Sequence, residues 1–254
     1  MIENFVIGLG QIGEPLQRIL NCEGWDAKQG DWQWFDAVRY LHICFSCSDL
    51  FVPRVVSYAH LCCARNVIIH STVMPGTTAK LQRELLPDAP VHCDAVYSPV
   101  RGRHGNMERD MRYFTKFVAS PNRKAAAQAA ANLADYGFRV EIHPDPTGLE
   151  LSKLFQTTAT AVQVAFAQEM ARYCADLDVD FLESQALLDM PNLPHVIHQP
   201  GFIGGHCVMQ NLDLLDGVLE RALTRWIRIS NNIREAERGR EEERLYPIPW
   251  RQYV

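Results

Sequence analysis

Asn4-Phe5-Val6-Ile7-Gly8-Leu9-Gly10-Gln11-Ile12-Gly13 is the stretch that decides the fold. Asn4–Gly8 is a short apolar run that reads as a buried strand, and Glu14–Leu20 has helical rhythm. Between them lies G-x-G-x-x-G. Gly8 makes the turn, Gly10 lets a pyrophosphate approach, and Gly13 lets helix and strand pack closely. Gln11 and Ile12 lead into the helix start, where free N–H groups and a partial positive charge face the phosphates. A second strand over Trp25–Gly30 ends at Asp31, eighteen residues after Gly13. A carboxylate there accepts hydrogen bonds from the adenine-ribose hydroxyls and repels a 2′-phosphate, which predicts NAD rather than NADP.

Further strands are expected at Leu41–Phe45, Asn66–His70, Val91–Val96, Thr115–Ala119 and Phe138–Ile142. Helices over 50–64, 79–86 and 121–135 lie between them. The link from Asp31 to Tyr40 is too short for a full crossover helix. The alternation predicts an α/β fold with a Rossmann-type doubly wound parallel sheet. Polar groups gather at its carboxyl edge, where such sheets bind ligands: Ser46 after the third strand, Ser71 and Thr72 after the fourth, and the basic loop with Arg101, Arg103 and His104 after the fifth. Beyond Pro144-Asp145-Pro146 the pattern becomes helical, over 147–176, 179–189 and 212–243. The expected organisation is a dinucleotide-binding domain over 1–143 and a helical domain over 144–254.

Composition narrows the function. The net charge of −5 argues against nucleic acid as the main partner. No apolar run reaches the roughly 18 residues of a membrane span, and no signal-peptide pattern opens the chain. Eight cysteines in 254 residues are too sparse for a disulfide framework, so reduced thiols and a cytoplasmic setting are expected. Cys44 and Cys47 form C-x-x-C and Cys62 and Cys63 are adjacent, but no second pair has zinc spacing, and no metal is expected.

A second cluster follows the Pro- and His-rich loop 190–201. Gly204-Gly205-His206-Cys207 places a thiol behind paired glycines, with the Asn211 amide four residues on. Such a turn is either a tight entry into a helix with an inert cysteine, or a loop that opens a thiol to a small molecule. Lys153, near the start of the long 147–176 helix, would lower the pKa of a thiol it faced and hold developing negative charge.

Taken together, Val6–Gly13 with Asp31, Ser71-Thr72-Val73 before Pro75-Gly76-Thr77, Glu150-Leu151-Ser152-Lys153-Leu154 and Pro200-Gly201-Phe202-Ile203-Gly204-Gly205-His206-Cys207 resemble the UDP-glucose/GDP-mannose dehydrogenase family. The Gly-Gly-His-Cys form is nearest the UDP-N-acetylmannosamine dehydrogenase branch. The resemblance implies NAD-dependent oxidation of an alcohol through an aldehyde. Cys207 would be the covalent nucleophile and Lys153 the oxyanion stabiliser. Thr157, Gly204 and Gly205 would line the substrate side. It also implies a homodimer formed through the 147–176 helix.

The departures set further expectations. Val100 stands where the family has Glu, Thr157 where it has Asn, Asn211 where it has Asp, and Cys47 where it has Thr. An amide cannot act as a general base, so the acid-forming step would need other residues, with His104 and His206 as candidates. Arg101 and Arg103 would clamp an anionic group. No third α/β pattern follows the helices, so the expectation is a short form without the family's nucleotide-sugar-binding domain. Two functions fit: an oxidoreductase acting on a small polar alcohol or aldehyde, or a non-catalytic NAD-binding sensor or assembly subunit.

Overall fold

A computed structural model describes residues 1–30, 37–85, 91–103, 105–186, 198–204, 207–215 and 221–241. It divides into two compact units, Met1–Lys153 and Leu154–Val254.

The first unit is a five-stranded parallel sheet in the order β2-β1-β3-β4-β5. The strands are β1 (Ile2–Ile7), β2 (Glu23–Trp25), β3 (Val38–Ile43), β4 (Asn66–Ile69) and β5 (Asp94–Tyr97). β6 (Lys116–Val118) and β7 (Val140–Ile142) form a separate parallel pair, joined to the end of β5 by an antiparallel bridge from Ala119 to Tyr97. The sheet is buried on both faces, as a parallel sheet with helices on each side must be. On one face Phe5, Ile7, Leu41, Ile43, Val67, Ile69 and Tyr97 pack on α2 (Phe51–Leu61) and α3 (Thr77–Leu85). On the other, Val6, Tyr40, Ile68 and Val96 pack with α1 (Gly13–Leu20), α4 (Met107–Tyr113) and α5 (Arg123–Asp135). Strand order reverses between β1 and β3, so their carboxyl ends open the crevice where doubly wound sheets take ligands.

Two features differ from the sequence expectation. The strand expected over Trp25–Gly30 is instead Glu23–Trp25, so the acid at its carboxyl end is Asp26. The cause is the brevity of α1, which stops after eight residues where Asn21 takes a left-handed conformation (φ 45°). Asp31 lies outside the described residues. Between the basic loop after β5 and the strand at Thr115–Ala119, where no element was expected, lies α4, whose Met107 and Met111 reach the core.

The second unit holds most of α6 (Pro146–Asp176), α7 (Cys207–Leu214) and α8 (Arg221–Glu241). Its cores are small. Ala161, Ala165, Ile203, Leu212 and Ile227 form one, and Ala167, Cys174 and Phe181 the other. The helix expected over 179–189 is, in its described part, a turn with a short 3-10 segment at Glu183–Gln185. The helix expected from Leu212 begins earlier, at Cys207, and α8 is a separate element.

Candidate active site

The turn after β1 is built so that only glycine serves at its corners. Gly8 has φ +92°, and a Cβ there would lie 2.7 Å from the Phe45 backbone nitrogen. A Cβ on Gly13 would lie 1.8 Å from the Gly8 carbonyl oxygen, so α1 sits directly on the turn. Gly10 is the opposite case: a Cβ there would meet nothing within 4 Å. The backbone is open at the one position where a pyrophosphate must come close. Gln11 is exposed beside it and Ile12 precedes the first helical residue.

Asp26 completes this turn. Its Oδ2 accepts from the Leu9 backbone N–H at 2.9 Å, tying the end of β2 to the first residue after Gly8. Its Oδ1 accepts from Lys28 N at 3.0 Å, and Gln29 reaches back to Asp26 N at 2.9 Å, a closed capping box. The carboxylate is thus fixed at the carboxyl end of β2, the position of a ribose-binding acid. The open glycine and the tethered acid fit a dinucleotide. The sequence reading missed Asp26; its signal was Asp26-Ala27-Lys28-Gln29, a cap pattern.

At the neighbouring strand ends, Ser46 is exposed after β3. Ser71 is buried and donates to the Phe45 carbonyl at 2.5 Å, so it joins two edge loops and its hydroxyl is already engaged. Thr72 is half-buried next to it. Glu150, in the first turns of α6, is fully buried and accepts from Gly76 N (2.6 Å), Thr78 N (2.8 Å) and Thr78 Oγ1 (2.6 Å). It caps the amino end of α3. Burial pushes its carboxyl up, opposed by these hydrogen bonds. Lys153, half-buried, lies one turn further on the same side of α6. Glu150 therefore fixes the helical turn that carries Lys153.

The basic loop is less free than its sequence suggests. Arg101 Nη2 donates to the Thr115 carbonyl at 2.9 Å, and its guanidinium lies over Phe114 and Phe117 at 5.2 and 5.5 Å. These contacts compete with a substrate clamp. Arg103 is exposed, and its backbone N–H is held by Asp110 at 2.9 Å. Val100, in the family's Glu position, is buried in the core. His104 lies outside the described residues.

In the second unit, Cys207 is the first residue of α7 and Asn211 follows one turn later. Asn211 is buried and its Nδ2 donates to Thr157 Oγ1 at 3.0 Å. The two residues that replace the family's Asn and Asp are thus paired with each other. The approach to Cys207 is held by a polar network that sequence did not suggest. Asn231 Oδ1 accepts from Ile203 N at 2.7 Å, and its Nδ2 donates to Ile203 O at 3.1 Å. Gln168 Nε2 donates to Gly201 O at 2.7 Å, and Ser230 Oγ donates to Gln168 Oε1 at 2.9 Å. Gly204 is exposed at the end of this segment; Gly205 and His206 lie outside the described residues. Among the described residues no cluster of His, Cys, Asp or Glu is placed to hold a metal, and no helix is long and apolar enough to cross a membrane.

These features define a dinucleotide-fold α/β protein with an appended helical unit. Residues 148–236 match the UDP-glucose/GDP-mannose dehydrogenase family, central domain. UDP-N-acetyl-D-mannosamine dehydrogenase from Pyrococcus horikoshii is 31% identical over 160 residues, covering 59% of this chain and 37% of the relative. Its counterpart from Methanococcus aeolicus is 25% identical over 142 residues, covering 56% of this chain and 32% of the relative. The chain therefore spans about a third of the length of the curated relatives it matches. The same fold occurs in the solved UDP-D-ManNAc dehydrogenase of Pyrococcus horikoshii, with TM-score 0.76 at 24% identity over 94% of this chain and 69% of that one. It occurs also in a UDP-glucose dehydrogenase of Pyrobaculum islandicum, with TM-score 0.71 at 17% identity over 92% of this chain and 68% of that one.

Proposed function

We propose that this chain is an NAD-dependent oxidoreductase of the nucleotide-sugar dehydrogenase type, acting on a polar alcohol or aldehyde such as a sugar derivative. The observation that carries this reading is the turn at Gly8–Gly13. It is open above Gly10 and tied through Leu9 to the Asp26 carboxylate. In our reading Gly10 admits the pyrophosphate, the start of α1 neutralises part of its charge, and Asp26 takes the ribose hydroxyls. NAD, when bound, would supply the hydride acceptor for oxidation of the carbinol carbon, the hydroxyl proton passing to water.

The chain's own groups do the rest. The Cys207 thiolate adds to the aldehyde carbon, and the carbonyl electron pair moves to oxygen, where the Lys153 ammonium holds it. A second NAD would supply the acceptor for the hydride that leaves this adduct; the product is a thioester, which water hydrolyses to the acid with return of the Cys207 thiol. Asn211 cannot take the proton from that water, since its amide is not a base and its Nδ2 already donates to Thr157. His104 and His206 are the groups we assign to this proton. The pairing of Asn211 with Thr157 and the burial of Val100 also favour a second reading, a non-catalytic NAD-binding sensor or assembly subunit.

Cys207 decides between the two. We expect iodoacetamide to alkylate it at a pH below the ordinary thiol range, and more slowly in Lys153→Ala. A thiol that titrates like free cysteine, unchanged in that variant, would leave only the binding-protein reading. We further propose a homodimer through α6. Phe155, Phe166 and Tyr173 lie on one side of the helix with 48%, 55% and 67% exposure, which supports an apolar stripe that a second copy covers. A monomer in sedimentation at micromolar concentration would contradict it. The free thiols of seven cysteines among the described residues suit a reducing, cytoplasmic setting.

A further inference from the structure

Beneath the carboxyl edge of the sheet lies a chain of buried polar side chains that the proposed reaction does not use. Lys116 on β6 is 3% exposed, His42 on β3 is 0%, His70 after β4 is 1% and Asn4 on β1 is 2%. Lys116 Nζ lies 2.7 Å from the Ser98 carbonyl, 3.0 Å from the Pro99 carbonyl and 3.1 Å from His70 Nδ1. His70 Nε2 lies 2.9 Å from His42 Nδ1, with the two rings within 16° of parallel. His42 Nε2 lies 2.9 Å from Asn4 Oδ1, and Asn4 Nδ2 donates to the Tyr136 hydroxyl at 3.0 Å. In an apolar sheet core this is an expensive arrangement unless every group is satisfied.

Donor counting fixes its state. With Lys116 as an ammonium, its three N–H groups match three acceptors: Ser98 O, Pro99 O and His70 Nδ1. His70 then carries its hydrogen on Nε2 and gives it to His42 Nδ1, and His42 carries its own on Nε2 and gives it to Asn4 Oδ1. If Lys116 loses a proton, the neutral amine has two N–H groups and a lone pair. His70 then carries its hydrogen on Nδ1, within reach of Ser98 O at 2.9 Å and of the amine. His42 follows to Nδ1–H, and Asn4 turns its amide so that Oδ1 takes the Tyr136 hydroxyl hydrogen. One proton leaves to solvent and every other hydrogen is conserved.

We propose that Lys116 is a positioning residue for the Ser98–Pro99 turn beside the dinucleotide edge, and that the His70–His42 pair makes its grip depend on one shared proton. The proposal rests on the NAD-site reading only for its consequence, not for the relay. Burial first, then the nearby Lys153 and Arg101 cations, lowers the Lys116 ammonium to about 7, opposed by Cys44. Burial, with Lys116 beside it, holds His42 near 3, and His70 is also held low, so both rings stay neutral and change only tautomer. The Cys44 thiol is raised to about 12 by desolvation and does not compete for the proton. Charge-assisted hydrogen bonds are about twice as strong as neutral ones, so the turn is held more tightly in the ammonium form.

The test is ring-nitrogen NMR of the histidines in the wild-type protein, with His42→Leu used to assign signals. As pH rises from about 6 to about 9, both rings should pass together from Nε2–H to Nδ1–H. In Lys116→Met both should be Nδ1–H at every pH. A ring that keeps its tautomer, or two rings that change independently, would overturn the relay even if the Met variant does not fold. NAD titrated over the same range should bind about fivefold more weakly at the alkaline end. A silent NMR titration refutes the relay alone; a moving one with no NAD binding at any pH refutes the dinucleotide-site reading and the positioning role, leaving only the relay.

Discussion

Replacing Glu150 with Gln tests how the sheet unit holds the turn of α6 that carries Lys153. The carboxylate is fully buried and accepts three hydrogen bonds, from Gly76 N, Thr78 N and Thr78 Oγ1. The amide keeps one oxygen, which can still serve both groups of Thr78. Its NH2 then faces the Gly76 N–H at a separation the carboxylate holds to 2.6 Å, donor against donor. One charge-assisted bond is lost and one N–H is left without an acceptor, which together cost about 2–4 kcal/mol. Relief of the carboxylate's desolvation offsets part of this. For a unit of this size that is a fall of about 5–15 °C in Tm. Urea unfolding monitored by circular dichroism measures it, with an unchanged m-value as the sign that only stability moved. A loss under about 0.5 kcal/mol would mean that α3 finds another cap and that Glu150 does not position this turn.

Other predictions probe separate parts of the account. Asn231→Ala leaves the Ile203 N–H and C=O without partners and should cost about 2–4 kcal/mol in thermal unfolding, with faster proteolysis between Gly201 and Gly204; a neutral effect would show that Gln168 alone holds the loop. Gly10→Ala should fold normally and lose NAD affinity, whereas Gly13→Ala should unfold the domain, because its Cβ would sit 1.8 Å from the Gly8 oxygen. Lys116 is lowered from 10.5 to about 7, so the unfolded chain binds the extra proton between those values and stability should rise as pH increases through that window. Lys116→Met should flatten this slope in unfolding free energies measured across that range.

The glycine turn was legible because its pattern is compact in sequence: Gly13 packs on the Gly8 carbonyl within the turn, Gly10 leaves the backbone open, and only the Gly8 contact, with Phe45, reaches a distant segment. The end of β2 was not. Asn21 halts α1 early and the strand runs over Glu23–Trp25 rather than Trp25–Gly30, so the acid at its carboxyl end is Asp26, which the sequence reading did not single out. Contacts between distant segments left little trace. Glu150 read as a helix-start residue, and nothing near it in sequence names Gly76 or Thr78 as its partners. Lys116 in a strand pattern suggests an exposed edge, although its period-two match to buried Val118 placed it on the inward face. Asn231 and Gln168 sit in segments that read simply as helical, and only packing shows that they hold the backbone before Cys207.

Calorimetric titration of NAD and of NADP into the wild-type protein and Asp26→Ala tests the dinucleotide site most directly. The account predicts that the wild type binds NAD more tightly than NADP, and that Asp26→Ala weakens NAD by about tenfold while narrowing the difference between the two. Binding of neither dinucleotide, or a preference that survives unchanged without Asp26, would contradict it.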